Sequence, residues 1–143
     1  MSLALTSHDK DTLRTAAYGA VALLAAADAA GAPGKVASRG AIALACATGP
    51  VGHVLAERAK VVGLRGKSVA ELADRVLPCL TDAMALLRER DPALADDFRG
   101  IVDLAVESAT LASKGRSGPV LAAMARQIAS ALDAAPAPAT PSA

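Results

Sequence analysis

Residues 68–92 read SVAELADRVLPCLTDAMALLRERDP, and this stretch decides the fold class. Ser68 is a good helix N-cap, and Glu71 stands three residues on, where its carboxylate can reach back to the cap amide while the cap hydroxyl reaches forward. Val69, Leu72, Val76, Leu80 and Leu87 recur at helical spacing and predict an inward stripe, with Glu71, Arg75, Pro78 and Asp82 on the opposite side. Pro78 removes one helical hydrogen bond, but on the wet side water serves the freed carbonyl of Asp74, so a bend is expected there. At the far end, Asp91-Pro92 closes this helix and opens the next, because proline is pre-organised for a first helical position. The spacing predicts one helix over Val69 to Arg90.

The same signals extend in both directions. Thr6 or Ser7 can cap a first helix, and Thr6 with Asp9 resembles a second capping box. That helix runs to about Ala30, where Gly31-Ala32-Pro33-Gly34 stops it. A second spans Lys35 to Thr48 and is broken by Gly49-Pro50, and a third runs from Val51 to Val62. A fifth starts at Pro92 and ends at Gly115, with Leu94, Phe98, Ile101, Ala105 and Ala112 on one side. Opposite them lie Asp96, Arg99, Asp103, Glu107 and Lys114, spaced for ion pairs between neighbouring turns. A sixth begins at Ser117-Gly118-Pro119, ends near Ala135 and turns Leu121, Met124, Ile128 and Leu132 inward. Strand signals do not recur. The expectation is an all-α fold: one compact domain over residues 1–135, a bundle of five or six helices with short loops, followed by a disordered Pro/Ala tail over 136–143.

Composition sets further limits. Apolar residues make 53% of the 143, but 37 of them are alanine, with one Phe, one Tyr and no Trp. Close packing of small residues must replace the rings that dominate most cores and interface anchors. Part of the alanine follows from GC-rich codons, as in a GC-rich bacterium, because Gly, Pro and Arg are also frequent and Asn is absent. Fifteen basic against 14 acidic residues give a net charge of +1, without the basic excess that neutralises nucleic-acid phosphates. So small a charge offers little repulsion against self-association. Cys46 and Cys79 form no CxxC pair and have only His8 and His53 as nitrogen partners, so no metal or cofactor is expected. They read as reduced thiols of a cytoplasmic protein. The N-terminus meets Asp9 and Asp11 before any long apolar run and does not read as a signal peptide.

The first two helices differ from the others. Asp28 is the sole charge from Ala16 to Ala30, and Gly40 to Thr48 carries none. Helices apolar on every side are buried centrally, sit in an interface or enter a membrane. Neither run reaches the roughly 20 apolar residues of a membrane span, so both are expected at the centre of the bundle or shared with a neighbour.

Three groups of residues carry candidate chemistry. Gly66-Lys67-Ser68 ends as a phosphate-binding loop ends, but the full pattern needs glycine where Val61 stands, and a preceding strand. What remains is a loop in which Arg65, Lys67 and Ser68 could hold a phosphate or carboxylate weakly. Lys114 and Arg116 form a similar loop before the last helix, and a strictly alternating trace puts both loops at one end of the bundle. The second group is Ser7, Asp11, Arg14 and Tyr18, which share one sector of the first helix. Asp11, Arg14 and Tyr18 are therefore expected as an exposed interaction surface. The third is His53, expected to face solvent beside Glu57 and Lys60. Asp28 lies near a helix end and is expected to reach water.

No coherent catalytic set emerges. The sequence points to a non-enzymatic cytoplasmic helical protein that acts by self-association or by binding a partner helix, without nucleic acid and without a membrane span. The alternative is a protein or enzyme binding a small anionic molecule at the Arg65/Lys67 and Arg116 loops.

Overall fold

The computed structural model describes residues 5–28, 33–56, 68–112 and 118–134. These form an all-α bundle: α1 (Ser7–Ala27), α2 (Pro33–Ala45), α3 (Gly49–Ala56), α4 (Val69–Arg90), α5 (Pro92–Ala112) and α6 (Gly118–Asp133). Both capping boxes form. Thr6 Oγ1 accepts from the Asp9 amide at 3.0 Å while Asp9 accepts from the Thr6 amide at 3.0 Å, and Ser68 and Glu71 exchange the same pair at 3.1 and 2.9 Å. Gly49 has φ +82°, a left-handed conformation that glycine takes without steric cost, and it turns the chain directly from α2 into α3. The expected tail lies outside the described residues.

α1 sits at the centre. It packs against every other helix and buries Leu13, Ala16, Ala17, Ala20, Val21, Leu23 and Leu24. Its close fits are made by glycine. At Gly19 an added Cβ would lie 2.7 Å from Val76 of α4, and at Gly40 of α2 one would lie 2.7 Å from Val21. The neighbouring backbones therefore approach to within the thickness of one valine, which compensates for the scarcity of large side chains.

The inward faces follow the expected stripes closely in α4, where Leu72, Val76, Leu80 and Leu87 are buried and Pro78 is exposed. α6 buries all four expected residues. In α5 the stripe is rotated: Ala95, Phe98, Val102, Ala105 and Ala109 are enclosed, while Leu94, Ile101 and Ala112 are only partly covered. Arg99 pairs with Asp103 at 3.4 Å and with Asp133 at the end of α6, which draws it away from Asp96.

α2 corrects the expectation of two central apolar helices. Only Val36, Gly40 and Leu44 are buried, at a strict four-residue spacing, and the opposite side faces solvent. Alanine on a helix gives little hydropathy contrast, so the run that looked buried all round is enclosed on one edge alone.

Alternation fixes the directions. Asp9 at the start of α1 pairs with Arg90 at the end of α4 (3.2 Å), and Arg99 near the start of α5 with Asp133 at the end of α6. Thus α1 and α5 run one way, and α2, α4 and α6 the other, which places α2 antiparallel beside α5.

Candidate functional site

The sector expected as an exposed interaction surface on α1 is corrected by its geometry. Arg14 is only 7% exposed, and its Nε donates to the Val54 carbonyl at 3.0 Å while Nη1 reaches Asp11 at 3.1 Å. One turn on, the Tyr18 hydroxyl donates to the Leu55 carbonyl at 2.7 Å. Val54 and Leu55 lie in the last turn of α3, where carbonyls have no intrahelical donor. Arg14 and Tyr18 therefore cap α3 from α1. Asp11 stays on the surface and holds the guanidinium in place. The wheel correctly put the three residues together, but their polar ends serve a neighbouring helix.

Arg65, Lys67, Lys114 and Arg116 lie outside the described residues. Ser68 and the last turn of α5 lie at the same end of the bundle, as alternation requires. The amide and hydroxyl of Ser68 are both engaged with Glu71, so a carboxylate already occupies the start of α4. His53 is exposed in the last turn of α3, and Glu57 and Lys60 fall outside the described residues. Asp28 does not reach water: as the C-cap of α1 it is fully enclosed, its amide donating to Leu24 and Ala25. Cys46 is exposed in the turn after α2 and Cys79 half-buried on α4. Among the described residues no group of three or more His, Cys, Asp or Glu is placed to hold a metal, and no helix is long and apolar enough to cross a membrane.

The surface feature that stands out lies between α2 and α5. A half-open groove of about 560 Å³ is lined by Lys35, Ser38, Arg39, Ile42 and Ala43 on one side and Ser108, Leu111 and Ala112 on the other. Ile42 is 55% and Leu111 71% exposed, and Leu104, two turns down the same side of α5, is 55% exposed. Exposed apolar residues that adjoin one another mark an association surface, whereas one standing alone, such as Val120 of α6 at 57%, is ordinary. Sequence reasoning missed this site, although Lys35, Arg39, Ile42 and Cys46 follow one another at spacings that put them on one side of a helix. A second depression, between α4 and α6, is floored by Leu77, Ala123 and Ala131 with Arg126 and Gln127 at its edge.

No protein-family model matches the chain, and neither a curated protein nor a solved structure matches it.

Proposed function

We propose that this protein works by association, docking a helical partner on the outer face of α2 and α5, and that it is not an enzyme. The observation that carries the reading is the exposure of Ile42, Leu104 and Leu111 on two adjacent helices that are enclosed only along their inward edges. The groove between them is open along one side, so it suits a protein surface better than a small molecule, which needs most of its area enclosed. The near-zero net charge agrees with a chain that tolerates close contact with other proteins.

A photo-crosslinking residue at position 42 tests this in cells, with position 74, exposed on α4, as the control. A discrete protein adduct at 42 and none at 74 is expected. Equal, diffuse labelling at both positions would remove the association reading.

A further inference from the structure

Resting on that reading, we infer that the partner is a second copy of this chain, related by a two-fold axis passing between Ile42 and Leu104. Charge is distributed along the face to suit such a pairing. Because α2 and α5 are antiparallel, Lys35 and Arg39 lie at the end where α5 finishes, and both line the groove there. At the other end α5 presents Asp96 and Asp97, both exposed, with Asp97 two turns before Leu104 on the same side. Lys35 precedes Ile42 by two turns as well. At 1.5 Å per residue each charge stands about 10 Å from the apolar centre, in opposite directions.

Glu107, exposed one turn past Leu104, offsets only one of the two cations at that end, and a face with a basic excess at one end, acid at the other and an apolar middle is complementary to itself when turned through a half-circle. Lys35 and Arg39 of each copy then meet Asp96 and Asp97 of the other, and Ile42 and Leu104 meet their counterparts at the centre. A partner of uniform charge would be repelled at one end. Gly100 adds to the fit, since no heavy atom lies within 4 Å of where its Cβ would stand and the backbone of α5 is bare there. Arg39 can cross it to reach the partner's carboxylates. Arg99, the nearest cation on α5, is already engaged by Asp103 and Asp133, so it does not cancel the acidic end.

The test is sedimentation of the full chain over a wide concentration range, with charge exchange. Wild-type protein is expected to dimerise, more weakly as salt is raised. Lys35→Glu with Arg39→Glu places acid against acid at both ends of the dimer and should weaken it on the order of tenfold or more. Asp96→Lys with Asp97→Lys should do the same through base against base. Mixing the two double variants restores opposite charge at both ends, so a heterodimer should form from two proteins that are monomers alone. Circular dichroism of each variant checks that the exposed substitutions leave the fold intact. A wild-type monomer at every concentration overturns the second copy as partner, and a dimer indifferent to the exchanges overturns this arrangement. If sedimentation fails while position 42 still crosslinks to a different protein, the association reading stands without the homodimer. If both fail, both fall.

Discussion

Arg14 on α1 donates from Nε to the carbonyl oxygen of Val54 on α3 at 3.0 Å, across 40 residues of sequence and almost out of contact with water. A short helix such as α3, two turns and eight residues in all, cannot hold itself as a helix, because nucleation costs more than so few hydrogen bonds return. Its stability comes from burying Val51, Val54 and Leu55 and from donors that α1 supplies to its free carbonyls.

Replacing Arg14 by Ala should therefore destabilise the protein by about 2 to 3 kcal/mol, combining an unsatisfied buried carbonyl with the lost packing of the arginine stem. Tyr18→Phe keeps the ring and removes one bond, at a cost of about 1 kcal/mol. Chemical denaturation gives both values. Hydrogen exchange locates the effect: amides of α3 should lose protection in both variants before those of α4 and α5 do. Uniform loss across the bundle would show that these bonds do not act locally on α3.

How far such features are legible in the sequence depends on where their cause lies. The limits of α4 follow from Ser68, Glu71 and Asp91, all within one turn of the ends they set. The central place of α1 is readable from a long run with a single charge. What Arg14 does is not, because its acceptor belongs to a helix 40 residues away, and a polar residue on a wheel looks the same whether it meets water or a carbonyl. The exposed side of α2 is hidden for another reason. With Ala, Gly and Ser around much of the helix, hydropathy cannot say which edge is enclosed, and the choice is made by the fit of Gly40 against Val21.

Those glycine contacts supply a second prediction. Gly19→Ala would place a methyl 2.7 Å from Val76 Cγ2, and Gly40→Ala one 2.7 Å from Val21 Cγ1. Valine is stiff at χ1 and both valines are buried, so neither can turn away. Each substitution should cost about 1 to 3 kcal/mol despite alanine's better helix propensity. Gly100→Ala, in open space on α5, should instead gain up to about 1 kcal/mol. Val76→Ala in the Gly19→Ala background should recover part of the loss, and a double-mutant cycle of melting temperatures measures the coupling. Additive effects would mean that the two helices are not held at this separation.

Asp9 gives stability a dependence on pH. The Thr6 amide bonded to its carboxylate, helped by the Thr6 hydroxyl and by Arg90, holds its pKa below the ordinary 3.8. A group whose folded pKa is lowered contributes stability above the unfolded value, and that contribution is lost as pH falls through the folded one. Asp9→Asn should therefore melt below wild type at neutral pH, and the difference should shrink as pH is lowered below about 4. Melting curves from pH 7 to pH 2 check this. A difference that stays constant would assign the effect to packing and not to charge.

The two thiols should separate in reactivity by their surroundings. Burial pushes the Cys79 thiol up, with the Asp82 carboxylate adding to the shift, and its Sγ donates to the Thr12 carbonyl at 3.5 Å. Thiolate is the nucleophile, so a raised pKa and restricted access both slow attack on a disulfide reagent. Cys46 stands exposed in the turn just past the end of α2. In dilute native protein at pH 8, one thiol should react fast and the second at least about tenfold more slowly, the slow phase disappearing in denaturant. Cys46→Ser should remove the fast phase and Cys79→Ala the slow one. Because the Cys79 thiol is held against α1 by its bond to the Thr12 carbonyl, Gly19→Ala, which forces α1 and α4 apart at Val76, should accelerate the slow phase while leaving the fast phase unchanged. Acceleration of both phases together would point to global unfolding in place of a local opening between α1 and α4.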